Sequence, residues 1–89
     1  MTILKRYAEA KKKYPKHLLF FRIGDFYELF FEDAKIISSA LGLTLIARDK
    51  GPDPIPMAGV PVHSAEPYVA RLLKQGFSVA VVDDEMEKK

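Results

Sequence analysis

Apolar positions recur along this 89-residue chain with two different periods, and the places where the period switches mark the elements. Ile3, Tyr7, Ala10 and Tyr14 fall at near-helical spacing behind Thr2, a good N-cap residue, and Pro15 stops the helix. Residues 17–23 form a short, dense apolar run closed by Gly24-Asp25, which reads as a buried strand followed by a turn. A second short strand follows over 26–30. Side chains alternate along a strand, so Phe26 and Glu28 share one face while Tyr27 and Leu29 point the other way, toward the core. Glu32 and Asp33 suit the first turn of a second helix, with Ala34, Ile37 and Leu41 as its apolar stripe and Gly42 as its stop. Residues 43–47 read as a strand. Residues 50–61 hold four of the six prolines and two of the five glycines, which predicts an irregular, stiff loop. Ser64 suits the cap of a third helix, whose face is Ala65, Tyr68, Val69, Leu72 and Leu73 and which ends at Gly76. A valine-rich strand over 77–82 closes the pattern.

Strands and helices therefore alternate after an opening hairpin. The expected fold is α/β: a small mixed β-sheet of about four or five strands packed with about three helices. One domain spans 1–89, because a chain this short buries only roughly 60% of its unfolded surface and supports a single core. Composition narrows the class further. The chain is 48% hydrophobic and 29% charged, which fits a folded soluble domain and not a disordered one. No apolar run approaches the roughly 20 residues of a membrane span. The start turns charged at Lys5-Arg6, unlike a signal peptide. With no cysteine there are no disulfides and no thiolate metal sites, consistent with a cytoplasmic location.

Net charge is only +2, but its distribution is uneven. Residues 1–16 carry Lys5, Arg6, Lys11, Lys12, Lys13 and Lys16 against Glu9 alone, a candidate phosphate-contacting cluster or a solvated helix face. Asp83, Asp84, Glu85 and Glu87 make an acidic end. The chemistry of greatest interest is Phe26-x-Glu28, just after an apolar run and a glycine. It pairs a flat hydrophobic wedge with a hydrogen-bonding group, the two things a protein needs to probe a base stack. A mispaired base has lost part of its pairing energy, so unstacking it costs less, and an aromatic ring stacked on it recovers about 1–3 kcal/mol. Near phosphates Glu28 is harder to ionise than in water. Protonated, it donates to a purine ring nitrogen; ionised, it accepts from a pyrimidine imino group.

The stretch Leu18-Leu19-Phe20-Phe21-Arg22-Ile23-Gly24-Asp25-Phe26-Tyr27-Glu28-Leu29-Phe30-Phe31-Glu32-Asp33-Ala34 resembles the amino-terminal, mismatch-recognition domain of the MutS family of DNA repair proteins. Pro56-Met57-Ala58-Gly59-Val60-Pro61 and then residues 68–81 match in the same order, so the resemblance runs from about Tyr14 to Asp83. It implies that Phe26 stacks on a mispaired base from the minor-groove side of double-stranded DNA while Glu28 hydrogen-bonds that base. It also places Met57, Ala58 and Gly59 near the same groove, His63 where a phosphate contact is expected, and Ile23 beside the wedge. Other MutS-type domains or repair proteins are further implied partners.

Enzymatic readings fit poorly. Asp25, Glu28, Glu32 and Asp33 do not converge in the predicted elements, so no metal site is expected. There is no Gly-x-x-x-x-Gly-Lys-Ser/Thr phosphate loop. Members of the family carry an ATPase domain that 89 residues cannot hold, so ATP and Mg belong to a part outside this chain, and no cofactor is expected here. The expected function is a non-catalytic module for mismatched-DNA binding in the repair of DNA damage. The alternative is a protein-interaction or regulatory module that keeps this fold without significant DNA binding.

Overall fold

The computed structural model describes residues 2–48 and 51–83, and the acidic Asp84, Glu85 and Glu87 lie outside the described residues. Helix α1 (Ile3–Lys13) is capped by Thr2, whose hydroxyl accepts from the Lys5 amide at 3.1 Å, and Lys11, Lys12 and Lys13 complement the negative end of its dipole. Strand β1 (Leu18–Ile23) turns through Gly24, at φ 63°, and Asp25 into β2 (Phe26–Phe30). Helix α2 (Phe31–Leu41) follows with no intervening loop and ends at Gly42, which takes the left-handed φ of 71° that lets the Leu43 amide reach back to the Ser38 carbonyl. Strands β3 (Ile46–Ala47) and β4 (Pro56–Pro61) lead through a 3-10 turn over Val62–Ser64 into α3 (Ala65–Lys74), and β5 (Val79–Asp83) closes the fold.

The five strands form one mixed sheet in the order β3-β4-β2-β1-β5, antiparallel except for the parallel pair β1–β5. The α/β class, the opening hairpin and the three helices follow the sequence pattern. Several expectations need correction. Residues 50–61 are not all loop: their second half is β4, hydrogen-bonded to both β2 and β3. Its prolines, Pro56 and Pro61, stand at the two ends, leaving the amides of Met57 to Val60 for the ladder. The strand expected over 43–47 shrinks to Ile46–Ala47. Ser64 does occupy the N-cap position of α3, yet its hydroxyl makes no capping bond and donates to the Pro61 carbonyl at 3.5 Å.

Both faces of the sheet are covered, unequally. Leu18, Phe20, Leu29, Ala58 and Val60 pack under α2 and α3 with Ala34, Ile37, Leu41 and Leu72. On the other face Leu19, Phe21 and Phe30 pack beneath Tyr7 of α1. Burial on both sides explains the unbroken apolar run Leu18–Phe21 in β1. The α1 layer is pinned by Asp33, a buried carboxylate that accepts from the Tyr7 hydroxyl at 2.7 Å, the Lys11 ammonium at 2.9 Å and the Leu19 amide at 3.2 Å. Burial and the adjacent Asp33 charge push the Tyr7 hydroxyl far above its ordinary pKa, so it stays a donor. Lys11 also donates to the His17 carbonyl. It is therefore tied into the fold and is not available to a phosphate, which corrects its place in the candidate basic cluster. Asp33 stands in the first turn of α2 as expected, and it is buried there. The direct step from β2 into α2 puts Phe31 at φ 59°, a conformation that costs a non-glycine residue about 1–2 kcal/mol.

Candidate nucleic-acid interface

Register decides what the α1 side of the sheet presents. In antiparallel pairs the facing residues share a side, so three cross-strand rows run over this face. The first row is Ile23, Phe26 and Pro61; the second is Phe21, Glu28 and Gly59; the third is Phe30, Met57 and Ile46. Helix α1 covers the face around Phe21 and Phe30, whereas Phe26 at the hairpin end is 47% exposed. Two residues along a strand advance about 6.6 Å, so Met57 sits about 13 Å along the face from Phe26.

Phe26 is held at the start of a strand that is paired on both sides, with Ile23 and Pro61 flanking it. The hairpin is braced twice. The Arg22 guanidinium donates through Nε to the Gly24 carbonyl at 3.0 Å, and the Val62 amide donates to the Asp25 carbonyl at 2.8 Å. That second bond draws the 3-10 turn carrying the exposed His63 against the hairpin tip. Glu28 is half-buried. Burial raises its carboxyl above the ordinary range, and the positive charge of Arg48 partly offsets this. Opposite it, Gly59 keeps the strand close: a Cβ there would lie 3.2 Å from the Tyr27 carbonyl oxygen and 3.7 Å from Glu28 Cγ.

Five of the seven expected residues thus gather on one face or its rim: Ile23, Phe26, Glu28, Gly59 and His63. Met57 shares the face but packs into the aromatic cluster under α1. Ala58 is a correction. Strand alternation turns its methyl to the opposite side, where it is fully buried against the α2 and α3 layer, out of reach of a ligand on this face. Arg48 is the residue that sequence reasoning missed. Its amide donates to the Ile55 carbonyl at 2.8 Å, fixing it at the end of β3, and its guanidinium lies 5.8 Å from the centroid of the Phe30 ring. Its only sequence signal is a basic side chain just after a strand; the pairing of β3 with β4 is what brings it across to Glu28. Among the described residues no group of His, Asp and Glu could hold a metal ion, and no helix is long and apolar enough to cross a membrane.

Comparison with known proteins identifies the family. A family model described as MutS domain I matches residues 1–89. The DNA mismatch repair protein MutS of Anaeromyxobacter sp. (strain Fw109-5) is 60% identical over 81 residues, covering 91% of this chain and 9% of the relative. Those of Desulfatibacillum aliphaticivorans and Pelotomaculum thermopropionicum are 56% and 48% identical, over 91% and 98% of this chain. The chain spans about a tenth of the length of these relatives.

Proposed function

The chain belongs to the MutS domain I family and is a domain of the mismatch-repair type, and from that premise we propose that it reads mismatched double-stranded DNA from the minor-groove side without catalysis of its own. The observation that carries the reading is the exposed Phe26 ring, standing on the same face as a half-buried Glu28 whose carboxyl burial raises above the ordinary range. The ring enters the step beside a mispaired base and Glu28 hydrogen-bonds that base. Discrimination comes from how readily the DNA unstacks and kinks, not from a base code. Ile23, Pro61 and Gly59 leave room for the approach, and His63 and Arg48 supply donors at the rim.

Affinity of the 89-residue chain is expected to be low, because few cations stand on this face and non-specific binding draws on phosphate contacts; a Kd of about 10⁻⁴ M or weaker near physiological salt is the expected value. The deciding experiment is an anisotropy titration with a G·T-mismatched duplex and its matched counterpart across salt concentrations. The mismatched duplex should bind more tightly, by less than the roughly 1–3 kcal/mol that one stacked base supplies. Absence of any DNA binding at low salt would favour a protein-interaction module instead.

A further inference from the structure

Packing does not hold the tip of the β1–β2 hairpin. Gly24, Asp25 and Phe26 are all exposed, and beyond its chain neighbours a Cβ on Gly24 would meet no described residue within 4 Å. The order of the tip therefore rests on hydrogen bonds. One comes from the Val62 amide; the other comes from Arg22, a side chain that faces away from the reading surface. Register sets Arg22 beside Tyr27 on one neighbouring strand and Asp83 on the other. Strand alternation turns all three to the α2 and α3 side of the sheet, opposite Ile23 and Phe26. From there Nε of Arg22 donates to the Gly24 carbonyl at 3.0 Å, and Nη1 lies 4.0 Å from Oδ2 of Asp83 at the end of β5.

We infer that Arg22 is a positioning residue, which ties the turn presenting Phe26 to the end of β5 and so sets how sharply the ring discriminates a mispaired step. The inference rests on the reading of Phe26 proposed above. A guanidinium suits the task because its Nε and Nη donors diverge in one rigid plane, so a single group bonds the turn and faces a carboxylate on the adjacent strand together. A lysine ammonium is one point on a flexible stem and cannot hold both directions at once. Arg22 and Asp83 are each about a third exposed, so their pairing adds little to stability and acts on orientation. The rival role is a phosphate contact. Geometry opposes it: Nε is engaged with Gly24, Nη1 faces an acid, and the side chain stands on the far side of the sheet from Phe26.

The test has two arms, both on the 89-residue chain. Without DNA, amide relaxation of the isotopically labelled chain reads the tip directly. Order parameters of Gly24, Asp25 and Phe26 should fall from about 0.85 toward about 0.6 in Arg22→Ala, with the thermal midpoint moving by less than about 4 °C. Asp83→Ala should loosen the tip in the same direction, by less. With DNA, the ratio of mismatched to matched affinity should drop at least about twofold in Arg22→Ala. Arg22→Lys, which keeps the charge, should drop it as well, and the salt slope of matched-duplex binding should stay unchanged in both. The inference fails if the tip of Arg22→Ala or Asp83→Ala is as ordered as that of the unsubstituted chain. It fails if the ratio survives in Arg22→Ala or is restored by Arg22→Lys, and equally if the salt slope falls by about one, which marks a phosphate contact. Should the unsubstituted chain show no preference for the mismatch, the reading of Phe26 falls, and the relaxation arm still decides whether Arg22 holds the turn.

Discussion

Phe26 and Glu28 differ in what their removal should do. The Phe26 ring is half in solvent and belongs to neither buried cluster, so Phe26→Ala should change the unfolding free energy by less than about 1 kcal/mol. It should erase the preference for mismatched over matched duplex while leaving matched-duplex affinity almost untouched. Equal loss of both in the anisotropy titration would make Phe26 a support of the fold. Glu28 predicts a pH dependence. Its folded-state pKa is raised by burial, so the folded form holds the proton more tightly than the unfolded one. The stability this contributes is complete below the unfolded carboxylate range and is lost as pH rises through the higher folded value. Glu28→Gln has no such loss, so its thermal midpoint should gain on that of the unsubstituted chain as pH rises above the ordinary carboxylate range. On the proposed reading that proton is the donor to a purine ring nitrogen, so the preference for mismatches that present one should strengthen as pH falls, and the Gln variant should be flat. Arg48→Ala removes the offsetting charge and should move both transitions to higher pH.

Helix α1 and strand β4 show where local pattern stops being informative. Periodicity located α1, α2 and α3, and strand alternation was enough to set Phe26 and Glu28 on their shared face, whereas Ile23 was placed beside them only by the family resemblance. Strand β4 was hidden because prolines mark loops statistically, whereas here they stand at the ends of a ladder that no local signal reports. With β4 unrecognised, neither the inward turn of Ala58 nor the approach of Arg48 to Glu28 was legible, since both follow from a pairing between distant segments. Asp33 was opaque for a similar reason: its three donors come from Tyr7, Lys11 and Leu19, none of them on its own helix. That hub makes its own prediction. Asp33→Ala should destabilise the chain by about 2–3 kcal/mol by leaving Tyr7 and Lys11 without their acceptor, read as a lower midpoint in urea. Lys11→Ala should also lower the midpoint yet leave the salt dependence of DNA binding unchanged. If Lys13 and Lys16 contact phosphates, changing either should reduce that salt slope by about one.

At the scale of the molecule, three layers divide the labour. Helices α2 and α3 cover most of one side of the sheet, leaving Val81 of β5 exposed, and α1 covers part of the other, so that the hairpin end around Phe26 is open on the α1 side. A surface that small neutralises few phosphates, so the chain by itself should be a weak and salt-sensitive binder whose mismatch preference survives at low salt. Joining it to a domain that grips the duplex should raise affinity for matched and mismatched DNA alike, while leaving their ratio close to that of the chain alone. Measuring that ratio in both settings checks whether discrimination resides in this domain.

Phe26 belongs to β2, a strand with hydrogen-bonded neighbours on both sides, and its own row is closed by Ile23 and Pro61. Pressed against a duplex, the two bodies behave as springs in series, and the softer one takes up most of the displacement. A ring on a free loop would yield first and report nothing about the DNA. Mounted on the central strand of a sheet backed by α2, it should be the harder spring, and on the proposed reading the deformation would pass to the base step, where a mispair is more compliant than a matched pair. Lengthening the Gly24-Asp25 turn by two glycines would soften the mount without touching the ring, and discrimination should then fall before affinity does.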